Sequence, residues 1–170
     1  MDEVINCVKI KTTEVTDEFV KDFTKTILEK AKENLKKDKF LASVAFFMCK
    51  SQVYILPTPI DNEQSKLVIE AFITKMTKKL QPEAIIFLSD GWSISASNKE
   101  DLKLPPSKHP ERKECIALST ITKAHKSWGL LQFYTRENDE IQFGENVETS
   151  ENFCRFIDDA FVEPLSKKVH

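Results

Sequence analysis

Asp90, His109, Arg112 and Glu114 are the side chains whose types and spacing could do chemistry. Two carboxylates, an imidazole and a guanidinium, shared between a strand end and a loop, are the parts of a general acid–base site. In that reading His109 or Glu114 moves the proton, Asp90 is the partner carboxylate, and the reaction is of hydrolase type. The same residues have a structural reading. Arg112 can fork onto Asp90 and tie the loop to the sheet, and an exposed pair of that kind contributes little. Trp92 is the wall of a cleft in the first reading and a buried anchor in the second. With Pro110 and Arg112 it makes the candidate binding set.

The rest of the chain offers less. Three glycines, Gly91, Gly129 and Gly144, cannot build a phosphate-cradling loop. Cys7, Cys49, Cys115 and Cys154 are scattered, without a C-x-x-C pair or a histidine at ligand spacing, so no metal and no cofactor are expected. Cys115 with His109 or His125 would pair a nucleophile with a base, but an apolar strand pattern around Cys115 buries and quiets the thiol. Lysine-rich faces on the first helix and at Thr77–Leu80 could touch nucleic acid. Glu29 and Glu33 dilute that charge and the formal net charge is −2, which disfavours nucleic acid as a partner. The only arginines are Arg112, Arg136 and Arg155, and each merits separate thought because a guanidinium forks a carboxylate where lysine does not.

These residues need elements to position them. At 170 residues, with a hydrophobic fraction of 41% and a charged fraction of 31%, the chain suits one soluble domain over 1–170. It has no run of membrane-spanning length and no export signal near Met1, so a cytoplasmic protein without a membrane partner is expected. A short strand around Val8 and Ile10 opens the chain. Phe19, Phe23, Ile27, Ala31 and Leu35 recur every fourth residue, which predicts a helix capped by Thr16. "FLASVAFFMCK" and "QVYILPTPI" read as a hairpin whose second strand is short or at an edge, because Pro57 and Pro59 end it. A second helix follows, capped by Asp61 with Gln64 in the reciprocal position and carrying Val68, Phe72, Met76 and Leu80 as its stripe until Pro82 stops it. "EAIIFLS" is a central strand. It runs into Asp90-Gly91-Trp92, read as a bulge or bend where Gly91 permits a positive φ or a close approach. Residues 97–113 form a long charged, proline-containing loop. "ECIALSTIT", "SWGLLQFYT" and "DEIQFG" form an antiparallel meander, and "SENFCRFIDDAFVEPL" closes as a helix. The fold class is therefore α+β: one largely antiparallel sheet with three helices in the order α-β-β-α-β-β-β-β-α.

That order is similar to the roadblock, longin and profilin-like scaffolds, which share element order and imply no function. A more local resemblance runs from about Lys37 to Leu118. A Lys-Asp step before "KFLASVAFFM", a strand ending in acid-x-Trp ("SDGWSI") and a later Pro-x-Arg-x-Glu ("PERKE") together resemble an uncharacterised family of small bacterial and phage-type α+β proteins. In that family pattern the acid is often Glu and the small residue Ala, where this chain has Asp90 and Gly91. The resemblance carries no activity. It implies that Asp90, Trp92, Pro110, Arg112 and Glu114 work as one unit. From the residues themselves, the Trp92 step is expected to pin the loop to the rim of the sheet, close to Arg112.

The leading expectation is a non-catalytic protein-interaction or assembly module, gripping another protein or a second copy of itself through a helix face or an open sheet edge. A small hydrolase-type enzyme built on Asp90, His109, Arg112 and Glu114 is the alternative, and a nucleic-acid-binding accessory protein is the second alternative.

Overall fold

A computed structural model describes residues 6–11, 14–94, 100, 103–152 and 154–161. Thr16 accepts a hydrogen bond from the Phe19 amide and starts α1 (Asp17–Asp38), with Asp17 and Glu18 at its positive end. The hairpin is β2 (Val44–Met48) and β3 (Gln52–Pro57). An outer strand, β1 (Asn6–Lys9), pairs with β3, so β3 is short as its prolines require but is not at the edge. The second helix, α2 (Glu63–Leu80), is capped by Asn62, not Asp61, in a reciprocal box with Ser65. Either residue has the capping chemistry; the one whose backbone is extended at the helix start takes the role. Then come β4 (Ala84–Ser93), β5 (Lys113–Thr122), β6 (Ser127–Glu137), β7 (Glu140–Thr149) and a single-turn α3 (Arg155–Asp158). The helix expected from Ser150 to Pro164 is thus reduced to one turn where it is described: Cys154 is extended before it and residues 159–161 form a turn, while the stretch from residue 162 lies outside the described residues.

All seven strands form one antiparallel sheet in the order β1-β3-β2-β4-β5-β6-β7. α1 covers one face, where Val20, Leu28, Ala31 and Leu35 meet Met48, Ile86, Leu118 and Leu130. α2 and α3 cover the other, where Ile69, Ile73, Met76 and Ile157 meet Phe47, Ile85, Phe87 and Ile121. A strand sandwiched between two helical layers has no polar face, which explains why Ala84–Leu88 is apolar throughout and wholly buried.

Two local features differ from expectation. Of the predicted α2 stripe, Phe72, Met76 and Leu80 pack on the core with Ile69 and Ile73, but the buried face is turned toward Ile73 and leaves Val68 62% exposed and Leu67 64%. And β4 runs straight through Asp90-Gly91-Trp92, paired with β5 residue for residue from Ala84 to Ser93 without a bulge. Gly91 has no positive φ, and a Cβ there would meet nothing within 4 Å. No tight backbone conformation demands glycine at this position; it leaves open the floor of a cleft.

Left-handed backbone occurs elsewhere and at non-glycine residues. Lys39 (φ 60°) and Gln81 (φ 48°) end the two long helices, His125 (φ 60°) sits in the β5–β6 turn, and Asn138 and Asp139 make the β6–β7 turn. Pairing of β6 with β7 slips between Gln132 and Tyr134, where Gly144 and Glu145 are accommodated as a bulge.

Candidate functional site

Sheet register assembles the site. Trp92 of β4 lies opposite Glu114 of β5, which lies opposite Tyr134 of β6, which lies opposite Phe143 of β7. Side chains alternate along a strand, so Asp90, two residues before Trp92, and Arg136, two after Tyr134, fall on the same face as this row. That face is the α1 face, beyond the helix's last turn.

Arg136 is the hub. Its Nε donates to Glu114 Oε1 at 2.9 Å, Nη1 to the Lys39 carbonyl at 2.9 Å, and Nη2 to Tyr134 Oη at 3.2 Å. Nη2 also lies 3.9 Å from Asp90 Oδ2. Tyr134 in turn donates its hydroxyl to Asp90 Oδ1 at 2.6 Å. One guanidinium thus joins two carboxylates, a phenol and the negative end of α1, the geometry for which arginine is suited and lysine is not.

Each group's titration follows from this packing. The Glu114 hydrogen bond raises the Arg136 pKa further above its ordinary range. Burial, then the Asp90 hydrogen bond, holds the Tyr134 phenol protonated well above its ordinary 10.0. Burial pushes the Cys115 thiol up to about 11, with the Asp90 charge adding to the effect, so it is no nucleophile at neutral pH. The cluster holds its protons in place; it positions chain segments.

Asp90 is the exception that titrates. Burial raises its carboxyl above 3.8, opposed by the Tyr134 hydrogen bond and the Arg136 charge and reinforced by the Glu114 charge. The folded chain therefore holds this proton more tightly than the unfolded one, and stability falls as pH rises from 3.8 through the raised value. Asp90→Asn is expected to flatten that segment of the curve, read as urea midpoints between about pH 4 and about pH 7. A slope that survives the substitution would assign the effect to another group.

The sequence candidates divide into two sets. Asp90 and Glu114 meet through Arg136. Arg112 instead lies over the Trp92 ring, 4.6 Å from its centroid, and donates from Nη1 to the Ser107 carbonyl at 3.0 Å. The expected pinning of the loop at Trp92 is present, through a cation–π contact and not through Asp90. Within the loop, a one-turn 3-10 helix (Pro106–Lys108) leads to His109, which is 8% exposed and accepts the Glu111 amide on Nδ1 at 3.1 Å. Pro110 is exposed beside it. Residues 97–99, 101 and 102 of the loop lie outside the described residues. Arg112→Ala should cost at most about 1 kcal/mol, as exposed cation–π pairs do. It should also hasten proteolytic cleavage at residues 103–112. A fully resistant loop in that variant would show that other contacts hold it.

Two clefts flank the end of the sheet. One, of about 700 Å³, lies along Trp92, Arg112, Glu114, Tyr134, Arg136 and Phe143. The other, of about 730 Å³, includes Ser89, Gly91, Cys115, Ala117 and Ser119 among its lining. Neither is lined by His109.

A model of the family described as bacteriophage lambda protein ea47 matches residues 5–161. The chain belongs to that family. The ea47-family match spans all seven strands and all three helices, and with them every residue of the cluster. The phage-type character implied by acid-x-Trp and Pro-x-Arg-x-Glu agrees with it. No curated protein and no solved structure matches the chain. Among the described residues no helix is long and apolar enough to cross a membrane, and no three His, Cys, Asp or Glu side chains are grouped to hold a metal ion.

Tyr134 and Arg136 are the cluster members that the sequence did not place with Asp90. Their signal was present: two polar residues of one strand parity in "FYTRE", one of them among only three arginines.

Proposed function

We propose that this ea47-family protein is a non-catalytic protein-interaction module and that it grips its partner through the outer face of α2. The observation that carries this reading is a pair of exposed aliphatic side chains on that helix. Ile69, Ile73 and Met76 are used against the sheet, yet Leu67 and Val68 remain 64% and 62% exposed in the same turn as Ile69. Beside them a groove of about 640 Å³ is lined by Pro57, Pro59, Val68 and Phe72. Burying one such aliphatic side chain stabilises a contact by about 1.5–3 kcal/mol. The Asn62–Ser65 box and two prolines hold the groove in shape before anything docks, which lowers the ordering cost of binding.

The sheet edges fit that role less well. β1 is four residues long, and β7 is bulged and carries Glu140, Glu145 and Glu148. The groups an enzyme would use are engaged with one another around Arg136 or within the His109–Arg112 turn. Lysines of α1 lie over rings, Lys21 on Trp128 and both Lys32 and Lys36 on Phe143, where their stems cover apolar surface.

Photo-crosslinking tests the reading. A photoreactive residue at 67 or 68 of the full chain, in its native cellular context, is expected to give discrete protein adducts. The same group at exposed position 29 is expected to give none, and Val68→Glu should abolish the adduct from position 67. Absence of adducts from both 67 and 68 overturns the interaction reading.

A further inference from the structure

We infer that the pocket between the first half of α1 and the β6–β7 edge binds a phosphoryl-type oxyanion. It lies on the α1 face of the sheet, so it stands apart from the α2 contact proposed above.

The starting observation is an unmet donor. Trp128 lies at the start of β6, and its indole Nε1–H is closed off from solvent without an acceptor among the described residues. Buried donors almost always have a partner, and one without calls for an acceptor from outside the chain. Trp128 forms a wall of a pocket of about 90 Å³ together with Lys21, Thr24, Lys25, Glu148 and Thr149. That space is several times the about 10–15 Å³ that one water needs and far below the about 300–1,000 Å³ of a drug-sized pocket. It suits a group of a few heavy atoms.

Charge and donor count name the group. Lys21 holds its Nζ 5.3 Å from the Trp128 ring centroid, and Lys25 stands one turn further along the same side of α1. Among the described residues neither lysine forms an ion pair. Both are exposed and long-stemmed, so both ammonium groups can close on an ion. The hydroxyls of the wall are already committed: Thr24 donates to the Val20 carbonyl at 2.8 Å and Thr149 to the Glu151 carbonyl at 2.6 Å. Three side-chain donors remain, two of them cationic, against one carboxylate, Glu148. A phosphoryl group, with a charge of about −1.5 to −2 and three strong acceptor oxygens, matches them. A carboxylate brings two oxygens and a single charge. Glu148 opposes the ion, so its removal is a test with a sign.

An NMR titration of the full chain with inorganic phosphate, at an ionic strength held constant with chloride, tests this. The Trp128 indole N–H resonance, assigned by comparison with Trp128→Phe, is expected to shift saturably with half-saturation at about 1–10 mM. Lys21→Met and Lys25→Met should each weaken binding at least about fivefold, and Glu148→Gln should tighten it. All three positions are exposed, and thermal unfolding without phosphate confirms an intact fold in each variant. Glycerol phosphate is the second arm. Tighter binding than inorganic phosphate assigns the site to an esterified phosphoryl group, and equal or weaker binding assigns it to the free ion. No saturable shift up to about 30 mM overturns the inference. So does saturation that both lysine variants leave unchanged, a Glu148→Gln variant that binds more weakly, or acetate that binds as tightly as phosphate.

Discussion

Arg136→Ala should lower the unfolding free energy by about 2–3 kcal/mol, read as a lower urea midpoint at an unchanged slope. The substitution removes the donor that serves Glu114, Tyr134 and the Lys39 carbonyl and leaves two neighbouring carboxylates facing each other. Breaking a fully buried ion pair costs about 3–5 kcal/mol, but the Arg136 side chain is 35% exposed and solvent screens part of the loss. Arg136→Lys keeps the charge and loses the fork, so it should recover less than half of the deficit. The effect should also reach α1. Its last carbonyls lose a cation, and amide exchange over Leu35–Lys39 should quicken while the helix start at Thr16 is unchanged. A loss below about 0.5 kcal/mol would mean that Arg136 is an ordinary surface residue.

Gln132→Leu is expected to cost about 2 kcal/mol even though leucine nearly preserves the volume. Gln132 is 4% exposed, and its amide donates to the carbonyls of Phe133, Gly144 and Glu145 at 3.0, 3.0 and 3.2 Å. Those carbonyls belong to the β6–β7 bulge, where the ladder provides no regular partner. Leucine removes their donor at a part-buried site, and the penalty is the lost hydrogen bonds, not lost packing. Damage should be local: amide exchange should rise along β7 and the facing half of β6 while β4 and β5 keep their protection. Uniform loss across the sheet would show that the bulge is not a separable unit.

The parts of the fold that were legible in the sequence are those governed by local chemistry. The fourth-residue repeat from Phe19 to Leu35 and the Thr16 cap fixed α1, and Pro82 stopped α2 where a proline must. The unbroken apolar runs of β2 and β4 pointed to strands covered on both faces, and both are. What could not be read depends on choices made between distant segments. The apolar residues of α2 cover more than one face of the helix, and only the sheet decides which edge is buried, so Val68 was assigned to the core and Ile73 was not. Arg112 and Asp90 looked like partners because a shared strand boundary brings them near. The straight passage of β4 instead sets Arg112 against Trp92 and leaves Asp90 to Tyr134 and Arg136, 44 and 46 positions away along the chain. No pattern within a window spans that distance. Gly91 misled for the opposite reason: a glycine in a strand usually reports backbone need, and here it reports only open space.

The left-handed corners at Lys39, Gln81 and His125 bear on how far this protein could be hardened. A residue with a β-carbon held at such a φ gives up roughly 1 kcal/mol that glycine would not, less glycine's greater freedom when unfolded. All three are exposed turn residues outside the packed layers. The native state therefore operates beneath the thermal ceiling its own backbone permits, and selection for heat tolerance could draw on those turns without repacking either layer.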